Sequence, residues 1–198
     1  GLGDVYKRQA FKQSGIIQAR SLEELYDMTK ALAKQPVARG GKVAMVSNGA
    51  GPMVQAVDYL SEAGLELSNL TDDTKKKLRE ALSPFVVVDN PVDLTGSATP
   101  RDYEIALENL IDDPNVDMVF VFFVHQNAPM SEEIVNVMGR INELASRKGK
   151  PLLVGAAGGP YTISINKKME ELGIPTYPTP ERLVAAAKAL YISGLKKI

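Results

Sequence analysis

From Val43 onward, short runs rich in β-branched and aromatic residues alternate with longer runs whose apolar positions recur at helical spacing. The strands this pattern predicts are Val43–Ser47, Phe85–Val88, Met118–Val124, Leu152–Gly155 and a short edge at Thr176–Tyr177. The run Met118–Val124 is apolar at every position, the signature of a strand covered on both faces of a parallel sheet. Between the strands, Thr99-Pro100-Arg101-Asp102 supplies an N-cap, a proline at the first helical position and a carboxylate at the third. Tyr103, Ala106, Leu107, Leu110 and Ile111 then share a face. Ser131 before Glu132 and Glu133 predicts a second helix start, with Ile134, Val137, Met138, Ile141 and Leu144 as its buried stripe. Thr179-Pro180-Glu181 opens a third helix. This alternation predicts an α/β fold, a flavodoxin-like three-layer sandwich on a mostly parallel sheet of about five strands.

Two segments stand outside the alternation. Ser21–Lys34 reads as a helix with Ser21 and Glu24 as a capping box, and Gln35–Gly41, with Pro36 and a Gly-Gly pair, as a hinge into the first strand. The division expected is a lead-in helix and linker over 1–40 and a domain over 41–198. Thr71–Leu82 reads as an extra helix whose Lys75-Lys76-Lys77 run is a solvated face in preference to a phosphate grip.

Composition narrows the function classes. With 23 basic and 24 acidic residues among 198, the chain has no electrostatic footprint for nucleic acid or an anionic membrane. It has no cysteine and a single histidine, which excludes disulfides, thiolate chemistry and multi-histidine metal sites. The longest uninterrupted apolar run is the seven residues of Met118–Val124, against the ~20 that span a bilayer, and no secretory signal is visible. A cytoplasmic protein is expected.

Ligands of open α/β sheets bind at the carboxyl ends of the strands, where helix N-termini point free N–H groups outward. Four loops of small residues fall there: Ser47–Pro52, Asn90–Thr99, His125–Pro129 and Gly155–Pro160. Together they predict a rim for phosphate or carboxylate groups, with Asn48, Gly49, Gly51, Gly96, Ser97, Ala98, Thr99, Gln126, Asn127, Gly158 and Gly159 as its binding residues. Any one of these glycines could equally be a turn residue. His125 could be a general base or phosphate carrier, or a ring that hydrogen-bonds a loop carbonyl. Asp93 reads as a tie for its own loop. Familiar alternatives fail: Gly49-Ala50-Gly51-Pro52-Met53-Val54 ends the dinucleotide pattern in valine, without the acidic residue ~20 positions on. Asn48–Met53 lacks the hydroxyls of an FMN site, and Asn48 and His125 stand where a receiver domain carries acids. No P-loop, Ser-His-Asp set or metal cluster is present.

The runs VAMVSNGAGPMVQAVDYLSEAGLEL, NPVDLTGSATPRDYEIALENLIDDPNVD and GIPTYPTPERLVAAAKALY resemble the last flavodoxin-like domain of the NDP-forming acyl-CoA synthetases. That family includes ADP-forming acetate–CoA ligase and succinyl-CoA synthetase, and related protein acetyltransferases carry the same module. The resemblance covers about Ala10–Tyr191 and is most specific over Asn90–Asp117. It implies the interconversion of acyl-CoA, ADP and phosphate with acid, CoA and ATP, in which a histidine on a mobile loop carries the phosphoryl group. This domain would position the phosphohistidine and acyl phosphate. The Ser-His-Thr-Gly loop holding that histidine is absent, so no catalytic residue is expected in this chain and His125 does not inherit the role. CoA, ATP/ADP and Mg²⁺ would serve the complete enzyme, with none bound by this domain alone. Its partners would be the CoA-binding, phosphohistidine-loop and ATP-grasp domains and a small carboxylic acid. Val5-Tyr6 lies one residue out of register with the family pattern, and residues 1–9 read as a translated adaptor remnant. The expectation is a truncated piece of a ligase, inert alone. The rival readings are a ligand-sensing domain of a protein acetyltransferase and a structural docking domain.

Overall fold

The computed structural model describes residues 2–195; Gly1 and residues 196–198, the extremes of the expected 1–9 and 41–198 segments, lie outside the described residues. Six strands and eight helices follow one another as α1 (Leu2–Gln13), α2 (Leu22–Lys34), β1 (Lys42–Ser47), α3 (Ala50–Ala63), β2 (Glu66–Leu67), α4 (Asp72–Ala81), β3 (Val92–Asp93), α5 (Pro100–Asp112), β4 (Met118–Phe122), α6 (Glu133–Lys148), β5 (Leu152–Gly155), α7 (Pro160–Glu171), β6 (Thr176–Tyr177) and α8 (Pro180–Leu195). Every ladder between them is parallel, in the order β2-β1-β4-β5-β6, with β3 also on β1. The expected α/β sandwich is therefore present, with six strands in place of about five.

The apolar run in β4 does what its pattern requires. Val119, Val121 and Phe123 enter one core with residues of α4, α5, α6 and α7. Met118, Phe120 and Phe122 enter the other with residues of α2, α3 and α8. These are the two helical layers of the sandwich.

The edge beside β1 differs from expectation. Phe85–Val88 is not a strand of the sheet: Phe85 is 81% exposed, and Val87 makes a single antiparallel bridge to Asp93. Two fragments share that edge instead, β2 opposite Lys42 and Val43, and β3 opposite Val46 and Ser47. Asn90 fills the gap between them: its Oδ1 accepts from Met45 N at 2.9 Å, and its Nδ2 donates to Val43 O at 2.8 Å and Ser68 O at 2.9 Å. One amide side chain thus completes a broken ladder, satisfying backbone groups that burial would otherwise strand. Propensity favours Phe85–Val88, but Pro91 and the Asn90 graft put the next two residues on β1.

Caps hold the helices where the sequence predicts them, with two adjustments. Ser21, Thr71 and Thr99 each accept an N–H three residues on, and Thr99 with Asp102 forms a complete capping box. Glu24 takes the N–H of Arg20, not that of Ser21, so only half of the expected box forms there. Ser131 is not an N-cap; α6 starts at Glu133 after a turn in which Ile134 N bonds Ser131 O. Lys75, Lys76 and Lys77 pair with Asp89, Glu80 and Asp73, a solvated face.

The lead-in carries two helices, α1 as well as α2, and the segment Gln35–Gly41 is a strap and not a hinge. Gln35 Oε1 accepts from Leu152 N at 2.9 Å while its amide donates to Asn142 and Gly173. Ala38 N donates to Leu190 O, and a Cβ on Gly194 would fall 1.8 Å from Ala38 O, so only glycine lets α8 lie this close. On α2, the Asp27 carboxylate is 1% exposed and takes two hydrogen bonds from the Arg182 guanidinium, at 2.7 and 2.9 Å.

Candidate functional site

All six strands point the same way, so the loops that follow them gather at one edge of the sheet. The order reverses between β1 and β4, the position where open α/β sheets form their ligand crevice. The segments Asn48–Pro52, Leu94–Thr99, Phe123–Pro129, Ala156–Pro160 and Pro178–Pro180 contain no Lys, Arg, Asp or Glu, and His125 is their sole titratable side chain; acids flank them at Asp93, the end of β3, and in the first turns of α5, α6 and α8. The loop Pro178–Pro180, before α8, is a fifth contributor that the sequence reading did not include.

Beneath the crevice lies a polar staple. Asn48 Oδ1 accepts from Val124 N at 2.8 Å and from the Tyr103 hydroxyl at 3.0 Å, and its Nδ2 donates to Val124 O at 3.1 Å. Tyr103 Oη in turn accepts from Asn48 N at 2.8 Å and lies 2.7 Å from Phe122 O. Burial holds the Tyr103 phenol well above its ordinary pKa, so it serves as a neutral hydrogen-bonding group. Asn48, 1% exposed, therefore joins the β1 and β4 loops, and both its amide oxygen and its amide nitrogen are engaged in that tie. Asn127 adds a second tie, donating to Asn48 O at 3.3 Å and lying against Gly96. The first three loops are thereby locked to one another.

The other predicted residues divide by place. Gly49 caps α3 and sits so close to Val124 that a Cβ would fall 3.0 Å from its Cγ2, while Gly51 faces open space. Gly96 and Ser97 are exposed at the rim. Ala98 turns into the core and its N–H bonds Thr95 O; Thr99 gives both its N–H and its hydroxyl to Asp102 at 2.7 Å. Those two residues build the loop and have nothing left to offer a ligand at these groups. Asp93 ties its loop as expected, accepting from Thr95 N. Thr95, not foreseen, holds φ +66°, an uncommon conformation for a β-branched residue and one that collects at functional loops. Gln126, Gly158 and Gly159 are exposed beside α7.

The helix starts at this edge are not equivalent. The start of α5 is closed by its capping box, α6 has Glu133 and α8 has Glu181 in the first turn. Only α3 and α7 begin with glycine, without a side-chain cap and without an acid in the first turn. Their unpaired N–H groups and positive dipole ends face the rim with nothing to neutralise them. Between the starts of α3 and α8 lies a cavity of about 280 Å³, lined by Pro52, Gln55, Phe122, Gly155, Pro178 and Pro180. It is chiefly apolar because the Phe122 ring lies over Gly155, where a Cβ would fall 2.5 Å from the ring. A larger groove, about 490 Å³, runs between α2 and α8 and mixes Arg20, Arg182 and Lys188 with Glu23, Asp27 and Glu62. With Glu24 and Glu181 also in its lining, acids outnumber bases there five to three, which disfavours an anionic ligand.

His125 is 4% exposed, stacks on Phe123 with centroids 5.1 Å apart, and has no hydrogen-bond partner at either nitrogen. Burial lowers its pKa to about 4, so the ring is neutral near pH 7. It does not bond the loop carbonyl that the plainer of the two sequence readings assigned it. Thr162 Oγ1 and Asn166 Oδ1 on α7 are likewise buried without partners, and neither was singled out by the sequence. The only signal for Thr162 was negative: Gly159-Pro160-Tyr161-Thr162 lacks the acid that a capping box would place third in the helix. Among the described residues, no three His, Asp or Glu side chains gather as a metal-binding group, and no helix is long and apolar enough to cross a membrane.

Comparison with known proteins adds the lineage. The model of the Ligase-CoA domain family matches residues 43–194. The chain is 36% identical over 184 residues to the α subunit of an ADP-forming acetate–CoA ligase II of Pyrococcus furiosus, covering 91% of this chain and 40% of that protein. A crystal structure from Pyrococcus horikoshii OT3 superposes with a TM-score of 0.89 at 36% identity, over 99% of this chain and 45% of the other. A dinucleotide-forming acetyl-coenzyme A synthetase 1 of Ca. Korarchaeum cryptofilum, solved in complex with phosphate and ADP, gives a TM-score of 0.84 at 32% identity, over 98% of this chain and 42% of the other. The chain thus spans less than half the length of these relatives.

Proposed function

Since the chain belongs to the Ligase-CoA domain family, we propose that it is one domain of an ADP-forming acyl-CoA ligase. In this reading it positions the phosphohistidine and the acyl phosphate while acyl-CoA, ADP and phosphate interconvert with acid, CoA and ATP. One observation carries the reading: two uncapped, acid-free helix starts, α3 and α7, open among loop segments (48–52, 94–99, 123–129 and 156–160) that carry no Lys, Arg, Asp or Glu. A phosphoryl group in transfer carries spread negative charge and needs aligned dipoles more than it needs covalent chemistry. Rigid N–H groups meet that need without reorganising, and the Asn48–Tyr103–Val124 staple ties the loop before α3 to the end of β4. Gly49 and Gly51 admit the ligand to α3, Gly158 and Gly159 to α7, and Gly96, Ser97, Gln126 and Asn127 form the walls. The small apolar cavity beside α3 suits the hydrocarbon part of a short carboxylic acid.

The domain proper is residues 41–198, with 1–40 as its lead-in. It acts with the CoA-binding, phosphohistidine-loop and ATP-grasp domains, on this polypeptide or another, in the cytoplasm, and is inert without them. CoA, ATP/ADP and Mg²⁺ belong to those other parts of the complete enzyme. The names of the similar ligases support the substrate class.

The test is a chimera in which this chain replaces the matching domain of an ADP-forming ligase, assayed for acid-dependent CoA thioester formation with ATP. Gly51→Glu separates folding from function, because Gly51 faces open space in the first turn of α3. A glutamate there favours the helix by about 0.5–1 kcal/mol but places negative charge at the anion seat. The expected outcome is an active chimera, and a variant whose Tm is unchanged or higher but whose thioester formation is largely lost. A chimera that turns over equally well with and without the new carboxylate reduces the chain to a scaffold.

A further inference from the structure

Three side chains at the crevice between the β4–α6 loop and α7 carry buried polar atoms without partners: both ring nitrogens of His125, Thr162 Oγ1 and Asn166 Oδ1. Buried polar groups are almost always hydrogen-bonded, so three orphans around one crevice call for a common explanation. Thr162 is third in α7, and its hydroxyl turns back toward the helix start: a Cβ on Gly158 would fall 2.2 Å from Thr162 Oγ1 and 2.8 Å from Gln126 Nε2. The side of Gly158 that lacks a side chain is thus faced by a hydroxyl and an amide that do not bond each other. The uncapped N–H groups of the first turn of α7 lie at the same place. The His125 ring closes the crevice edge-on to Tyr161, centroids 6.3 Å apart. Asn166 stands one turn further along α7, its amide held by Ala156 O and its Oδ1 free.

We propose that this crevice is a seat for a small oxyanion, a carboxylate or phosphate group, separate from the seat at the start of α3. The groups that converge on it are donors: the helix N–H groups, the Thr162 hydroxyl and the Gln126 amide. A neutral imidazole can add one more N–H. The free Asn166 Oδ1 is an acceptor that suits a ligand carrying one O–H, as hydrogen phosphate does. The proposal rests on the reading of the rim as an anion site and gives that rim two seats, one for each of the two groups that exchange across it.

The experiment uses the full 198-residue chain, labelled with ¹⁵N and titrated separately with acetate and with inorganic phosphate at constant ionic strength, with chloride as control. The amides of Tyr161 and Thr162 and the side-chain amide of Gln126 are expected to shift with acetate, phosphate or both; which anion acts says whether the seat takes the acid or the phosphate. Thr162→Val, of nearly the same shape, is expected to raise the apparent Kd about tenfold, the scale of one lost charge-assisted hydrogen bond. Gln126→Ala, at an exposed position, is expected to weaken binding in the same direction and serves if the valine variant does not fold. Shifts confined to Ala50 and Gly51 overturn the second seat and leave the rim standing. Shifts at neither helix start overturn both. Equal response to chloride, or a Kd untouched by Gln126→Ala in folded protein, also overturns the α7 seat.

Discussion

At the scale of single residues, burial decides what each polar group can do. Asn48 reads in the sequence as a loop residue free for a ligand, yet every hydrogen-bonding group of its side chain is engaged by Val124 and Tyr103. The partner that reassigns it lies 55 positions away, beyond the reach of spacing arguments. His125 shows the opposite outcome, a buried ring with no protein partner. Its folded pKa of about 4 lies below the ordinary 6.5 that it regains on unfolding. Above pH 6.5 the ring is neutral in both states and adds no pH dependence. As pH falls from 6.5 to 4 the unfolded chain takes up a proton that the folded chain refuses, so stability drops, by about 3 kcal/mol in full. His125→Phe, placed on the same Phe123 ring, removes that contribution. Urea melts of both proteins between pH 7 and pH 4 are expected to diverge as pH falls, the wild type losing more; parallel curves would show that the ring is solvated.

At the scale of elements, the proposed function rests on the helix starts, and the integrity of the sheet edge rests on the broken edge strand. Helix α5 spends its N-terminal groups on its own capping box, whereas α3 and α7 leave theirs unspent at the rim. That contrast was partly legible: Thr-Pro-Arg-Asp announces a closed start, and Gly-Ala-Gly-Pro and Gly-Gly-Pro announce open ones. The edge was not legible. Phe85–Val88 has the better β composition, but a two-residue strand cannot be recognised from propensity, and β2 and β3 are both that short. Their register comes from Asn90, which bonds Val43, Met45 and Ser68. Asn90→Ala leaves Met45 N and Ser68 O unpaired at the sheet edge, Val43 O keeping its bond from Ser68 N, and is expected to cost about 2–3 kcal/mol. Hydrogen exchange is expected to quicken first at Met45 and Ser68; protection there at the wild-type level would mean that the backbone closes the gap without the side chain.

At the scale of the whole molecule, the strap from α2 to β1 ties the lead-in to the sandwich. On α2, the charge that most needs its partner is the Asp27 carboxylate, 1% exposed and held by Arg182, whose guanidinium pKa the same bonds raise. Arg182→Ala strands that charge in the interior and is expected to cost about 3 kcal/mol, with α2 losing exchange protection ahead of the sheet. Asp27→Asn in the same background is expected to recover part of the loss; no recovery would assign the effect to packing of the Arg182 stem. The Gln35–Gly41 segment looks like a hinge in one dimension because Pro and Gly-Gly punctuate it. It is a strap because Gln35 and Ala38 find β5 and α8 in three.

The sequence by itself determined the α/β class, the two-sided burial of β4, the caps of α2 and α5, and four of the loops that meet at the carboxyl edge. Each follows from periodicity or from a contact within four residues, where the chain carries its own geometry. Only the tertiary structure decided that Asn48 is a staple, that Asn90 stands in for a missing length of strand, and that His125, Thr162 and Asn166 share one crevice. Those outcomes depend on which distant groups arrive beside a side chain and on whether water is shut out when they do. A local pattern contains neither piece of information.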